Sequence, residues 1–167
     1  MPEDELKYMQ QHAPSCIIPD IGAAPSELRD LIQNEYGSNT TVFGLRCPCG
    51  EDRFEVSLPS EAFGLVNTKC TGCGRQRNVF NPLEHGYDGA VGNKKGVTSG
   101  ASSVRRCPKC HDGRLWLAAG FQYSGETDIL QDGELDIKPE DLFGWFVLGG
   151  KCSACGATSI LTDAECA

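Results

Sequence analysis

Apolar and polar positions change their period once along the chain. Near the N terminus, APSELRDLIQNEYG sets Leu28, Leu31 and Ile32 on one helical stripe, with Ser26 as an N-cap after Pro25 and Gly37 beyond the last turn. That pattern predicts a helix packed on the first cysteine unit, and residues 1–12 predict a second, short and acidic one. Between them CIIPDIG is apolar but broken by Pro19, which predicts an extended segment covering a sheet edge. From residue 41 the period becomes two. TVFGLRCPCG, RFEVSL, LVNTKCTGCG and QRNVF predict short strands, in which Phe54, Val56 and Leu58 alternate with charged or polar neighbours.

The same grammar then returns. VRRCPKC follows LRCPCG with one residue more, GRLWLAAGF stands where RFEVSL stood, and GGKCSACGATSIL repeats NTKCTGCGRQRNVF. This reads as an internal duplication of a unit that carries two cysteine pairs and fixes its own small core. The predicted division is an N-terminal helical and extended cap over residues 1–40, a first module over 41–87, a Gly/Ser-rich flexible linker over 88–103, and a second module over 104–167. The fold class is mainly β with a few short helices, a small α+β protein. The second module has an acidic insertion over 122–142 in which DILQDGELDI sets Asp132-Gly133 as a hairpin turn, with Leu130 facing Leu135 across it. Behind it, DLFGWFVL brings Leu142, Phe143, Trp145, Phe146 and Leu148 together in a strand buried on both faces that leads to Cys152.

Composition makes the metal reading necessary. Leu, Ile, Val and Phe number 36 of 167 residues, close to the level at which chains stay disordered, so something besides burial must hold the fold. Eight of the ten cysteines form close pairs, Cys47/Cys49, Cys70/Cys73, Cys107/Cys110 and Cys152/Cys155. That is ligand spacing, in which two facing turns give four thiolates to one tetrahedral ion. Gly74 and Gly156 each supply a turn after a second pair. The Cys47-Pro48-Cys49 pair is tighter than Cys-x-x-Cys, which leaves His85 open as a substitute ligand, whereas His111 is placed outside the metal shell. Cys16 and Cys166 read as small apolar residues of a reducing compartment, and His12 has no assignable partner.

The paired turns CPCG with CTGCG, and CPKC with CSACG, resemble those of zinc-ribbon proteins over residues 45–80 and 104–162. The resemblance implies two structural Zn(II) ions in closed four-cysteine sites, with no open position for hydrolysis. The turns are also similar to rubredoxin, which would imply a redox iron. The acidic insertion departs from that compact single module, so iron stands behind zinc.

Net charge is −8, distributed as −5 over 1–40, 0 over 41–87, +3 over 88–106 and −6 over 107–167. Thiolates on zinc make it more negative, which disfavours nucleic acid except at a local basic strip. Arg46, Lys69, Arg75, Arg77, Arg105, Arg106 and Lys151 lie near cysteine pairs and are read as offsetting thiolate charge. Glu126, Asp128, Asp132, Glu134, Asp136, Glu140 and Asp141 oppose Lys138 alone, and their mutual repulsion points to a basic protein partner. No Ser/His/Asp order, phosphate loop or nucleotide fingerprint is present, so no enzyme is expected. The acidic start and the lack of a long apolar run predict a cytoplasmic protein with no membrane contact. The leading expectation is a non-catalytic interaction protein, such as an inhibitor or immunity-type protein. A zinc-ribbon accessory factor of transcription or other nucleic-acid machinery is the alternative.

Overall fold

The computed structural model describes residues 21–38, 40–59, 66–80, 102–123 and 143–165. These form one helix and nine antiparallel strands in a single sheet. The strands are β1 (Ile21–Gly22), β2 (Thr40–Leu45), β3 (Arg53–Pro59), β4 (Val66–Cys70) and β5 (Gln76–Phe80), then β6 (Ser102–Val104), β7 (Leu115–Tyr123), β8 (Phe143–Cys152) and β9 (Thr158–Glu165). The strands predicted in TVFGL, RFEVSL, VNTKC, QRNVF and LWLAAGF lie in β2, β3, β4, β5 and β7, whereas the DILQDGELDI hairpin, with Leu130 and Leu135, lies outside the described residues. The helix, α1, runs over Ser26–Tyr36.

The duplication is visible in the registers. Phe54 of β3 pairs with Leu115 of β7, and these residues occupy equivalent positions in the two sequence repeats. Around this pair β2 runs beside β7 with Gly44↔Ala118 and Phe43↔Ala119, while β6 runs beside β3 with Val104↔Ser57 and Ser103↔Leu58. Counting back from Cys47 and Cys107, Gly44 corresponds to Val104, and counting on from Phe54 and Leu115, Ala118 corresponds to Ser57, so both pairings have the same register. An approximate two-fold axis therefore passes through the Phe54–Leu115 pair. The sequence suggested two small separate cores, but the strands of the two repeats are hydrogen-bonded to one another. Residues 88–101 of the expected linker lie outside the described residues, and its last two, Ser102 and Ser103, belong to β6.

One face of the sheet carries the main core, where Phe43, Phe54, Val56 and Val79 join Leu115, Leu117, Phe121, Phe146 and Leu148. Phe121 stacks at a tilt on Phe146, with ring centres 5.5 Å apart. The other face is covered over the second repeat by α1. Leu28 and Ile32 are fully buried against Val42, Ala118 and Val147, with Ile160 packed beside them. The helix sits this close because Gly120 and Gly149 lack side chains: a Cβ on Gly149 would meet Ile32 at 3.2 Å, and one on Gly120 would meet it at 3.0 Å. Two expectations are corrected here. The helix, expected on the first repeat, packs on β7, β8 and β9 of the second as well as on β2 of the first, with Gly120 of β7 and Gly149 of β8 leaving room for Ile32. Ser26 is its first helical residue, with Pro25 at the cap position and no side-chain cap bond.

Phe146, Val147 and Leu148 are all buried, so β8 is covered on both faces as its apolar run predicts. The segment around CIIPDIG ends in β1, which pairs with the outer edge of β2 through Ile21↔Leu45 and Gly22↔Gly44. Among the described residues, no helix is long and apolar enough to cross a membrane.

Candidate metal centres

Each first cysteine pair sits where a lane of the sheet is interrupted. β2 and β3 both run beside β7, and the excursion between them carries Cys47 and Cys49. β6 and β7 both run beside β3, and the excursion between them carries Cys107 and Cys110. The second pairs lie in the β4–β5 and β8–β9 turns. They are docked by equivalent bonds: the Thr71 N–H donates to the Arg53 carbonyl (3.1 Å) and the Ser153 N–H to the Arg114 carbonyl (3.0 Å).

The result is two groups, Cys47/Cys49/Cys70/Cys73 and Cys107/Cys110/Cys152/Cys155, each with its four sulfurs within 4.8 Å of one another. Sulfur separations are 3.6 Å for Cys47–Cys73 and for Cys49–Cys70, 3.6 Å for Cys107–Cys155 and 3.4 Å for Cys110–Cys152. A tetrahedral ion with metal–sulfur bonds of about 2.3 Å requires edges of about 3.8 Å. The donor sets thus fit such an ion after an adjustment of a few tenths of an ångström. In both groups the first cysteine of each pair is buried and the second exposed.

The tight Cys47-Pro48-Cys49 turn brings both of its cysteines into the cluster. Gly50, at φ +94°, donates its N–H to the Cys47 carbonyl (2.8 Å), and His111, at φ +65°, does the same to Cys107 (2.8 Å) from one residue further along. Glycine thus makes the left-handed turn one residue earlier, and Cys49 still reaches the cluster. His85 and His12 lie outside the described residues, as do Cys16 and Cys166, and His111 belongs to neither group. Gly74 and Gly156, both at φ +75°, donate to the Cys70 and Cys152 carbonyls at 3.0 and 2.9 Å and close the second turns as predicted.

Backbone N–H groups also point at sulfur, with Gly72 at 3.3 Å from Cys70 Sγ and Lys109 at 3.4 Å from Cys107 Sγ. The N–H groups of Cys110 and Lys109 bring the Cys107 thiol down to about 6. Burial works against ionisation of Cys70, but the N–H groups of Cys73 and Gly72 prevail and bring it to about 7. Burial pushes Cys47 up to about 12. At Cys110 the Asp112 N–H favours the thiolate, yet hydrogen sharing with Cys152 and burial outweigh it and push the thiol up to about 12. Four neighbouring thiolates need a compensating cation, which a divalent metal supplies.

A matched pair of ion pairs, absent from the sequence-based reading, braces the two excursions. Arg53 grips Glu51 with two bonds (2.8 and 3.0 Å), and Arg114 grips Asp112 with two (3.2 and 2.8 Å). The Arg53 and Arg114 guanidiniums hold those carboxylates down at about 2. The signal was present as an acidic residue two before an arginine after each first cysteine pair. Of the basic residues expected to offset thiolate charge, Lys151 instead bonds Glu27 of α1 (2.9 Å) and lies 5.6 Å over the Trp116 ring. Trp116 in turn donates to Asp52 (3.2 Å), tying the second repeat to the first excursion. Arg46, Lys69, Arg75, Arg105 and Arg106 are exposed around the metal loops. The seven carboxylates Glu126, Asp128, Asp132, Glu134, Asp136, Glu140 and Asp141 lie outside the described residues, and Gln122 and Tyr123 of the expected insertion belong to β7.

No protein-family model matches the chain, and comparison with curated proteins and with solved structures gives no match.

Proposed function

We propose that the chain is a non-catalytic interaction protein held together by two structural Zn(II) ions, and that its acidic insertion docks on a basic protein, as an inhibitor or immunity-type protein would. One observation carries this reading: each four-sulfur group is complete, so an ion bound there has all four tetrahedral positions filled by thiolate and none for substrate or water. Both groups are built into the core through Cys47, Cys70, Cys107 and Cys152, which fits a stabilising ion. The four-thiolate set and a reducing compartment favour zinc over the oxygen-preferring divalent ions.

The acidic insertion leaves from β7 and returns in β8, whose ends are tied together at Tyr123↔Phe143. Its two ends therefore start from a rigid base. Charge reversal of Asp132, Glu134 and Asp136 to lysine tests the docking surface with the partner recovered by affinity capture. Loss of capture with metal content unchanged supports the reading, and undiminished capture removes the insertion as the contact.

A further inference from the structure

The approximate two-fold places one strand edge opposite an occupied one. In the first repeat the outer edge of β2 is covered by β1, with Gly22 opposite Gly44, and the chain then crosses directly over Gly44. It passes so close that a Cβ on Gly44 would lie 2.5 Å from the Ala23 carbonyl oxygen. The equivalent edge of the second repeat belongs to β6, where Val104 stands in the position of Gly44, and among the described residues nothing pairs with it. Where Ala23 and Ala24 fill space in the first repeat, the second has an open cleft of about 490 Å³ walled by Glu55, Val104, Arg106, His111, Arg114 and Ala154.

Backbone direction fits a docking edge. The Arg105 N–H donates inward to the Val56 carbonyl (2.7 Å), so strand alternation turns the N–H and C=O of Val104 outward. Val104 is 50% exposed, the one large apolar side chain so exposed among the described residues. The cleft holds both signs, Arg106 and Arg114 against Glu55 and Asp112. Arg114 is committed to Asp112, but Arg105 and Lys109 have no carboxylate partner among the described residues, and Arg106 donates only to the His111 carbonyl (3.4 Å).

We infer that the outer edge of β6 is a docking site for an extended acidic peptide of a partner protein, which adds as a strand beside Ser102–Val104 and sets carboxylates against Arg105, Arg106 and Lys109. Strand addition supplies main-chain bonds, and the flanking cations select the charge of the guest. This surface is opposite in sign to the acidic insertion and does not depend on that insertion's role.

The test uses the full-length metal-loaded protein and a fluorescent peptide of alternating glutamate and valine, with one of alternating lysine and valine as control. The acidic peptide is expected to bind about tenfold tighter or more. Adding it should slow hydrogen exchange at the Val104 amide. Val104→Pro, which removes the outward N–H, and the surface double variant R105E/R106E, which leaves the strand backbone intact, should each weaken binding about tenfold. Equal binding of the two peptides, or undiminished binding by R105E/R106E, overturns the inference. So does a Val104 amide already slow to exchange in the free monomer, which would mean that the chain covers its own edge. Protection that appears only as the protein dimerises would assign the edge to a second copy and equally overturn it.

Discussion

The two repeats share a four-cysteine frame and differ in what they lay over it. Both have an interrupted strand lane, a buried-then-exposed cysteine pair in each turn and an arginine gripping a carboxylate two residues before it. Yet among the described residues the helix lies over β7, β8 and β9 of the second repeat and reaches only β2 of the first, and an added strand is seen at the lane edge of the first repeat alone. The frame is thus set by the four-cysteine groups and the turns that present them, whereas the coverings follow the local side chains. Small residues at Ala118, Gly120 and Gly149 admit α1, while the corresponding face of β4 and β5 presents exposed Lys69 and Gln76. The comparison also shows how the halves are joined. Cys70, Phe54, Leu115 and Cys152 are successive partners across β4, β3, β7 and β8, so the two centres stand at the ends of one row.

That row gives the largest expected effect. Removing one buried ligand, by Cys70→Ser or Cys152→Ser, should unfold both repeats, because a structural zinc contributes apparent binding energy of about 10–16 kcal/mol, as much as the whole stability of a domain. Amide dispersion in NMR spectra reads each half separately. A variant in which the unmutated repeat stays folded would show that the halves are independent.

A smaller effect separates the coverings from the frame. Ile32→Ala removes a fully buried side chain between α1 and the second repeat and should cost about 2–5 kcal/mol in urea unfolding. Lys69→Ala, on the uncovered face of the first, should stay within about 0.5 kcal/mol. The two left-handed turns give a finer contrast. Gly50→Ala should cost about 1–2 kcal/mol, because a Cβ is strained at positive φ, while His111→Gly should relieve that strain and gain up to about 1 kcal/mol. Thermal melts of the metal-loaded proteins measure both.

The smallest effect is at the end of α1. Burial and the Asp163 carboxylate, which accepts the Tyr36 hydroxyl at 3.0 Å, raise the Tyr36 phenol to about 12. A raised phenol favours the neutral form in the fold, so its contribution is fully present below about 10 and disappears as pH rises through about 12. Tyr36→Phe should flatten the alkaline fall in stability over that window, and an unchanged slope would place the coupling elsewhere.

Much of the frame was legible in the sequence because it rests on local signals. Cysteine spacing marked both ligand sets, glycines marked the second turns, and period-two alternation marked β3 and β7. The joining of the repeats was not legible, since periodicity identifies which residues share a face but says nothing of which strand lies next to which. The pairing of β2 with β7 and of β6 with β3 depends on long-range register. The destination of α1 was missed for a related reason: its apolar stripe required a receptive surface, and the decisive feature was an absence of side chains at Gly120 and Gly149. The Arg53–Glu51 and Arg114–Asp112 pairs were in plain sight as a repeated spacing, but only alignment of the repeats on their cysteines brings them out.

Native mass spectrometry of the protein purified without added metal, followed by stepwise chelation, tests the central claim most directly. Two zinc ions per chain, lost together so that the singly loaded form stays scarce, is the predicted result. Iron, a single bound ion, or disulfide-bonded protein without metal would contradict it.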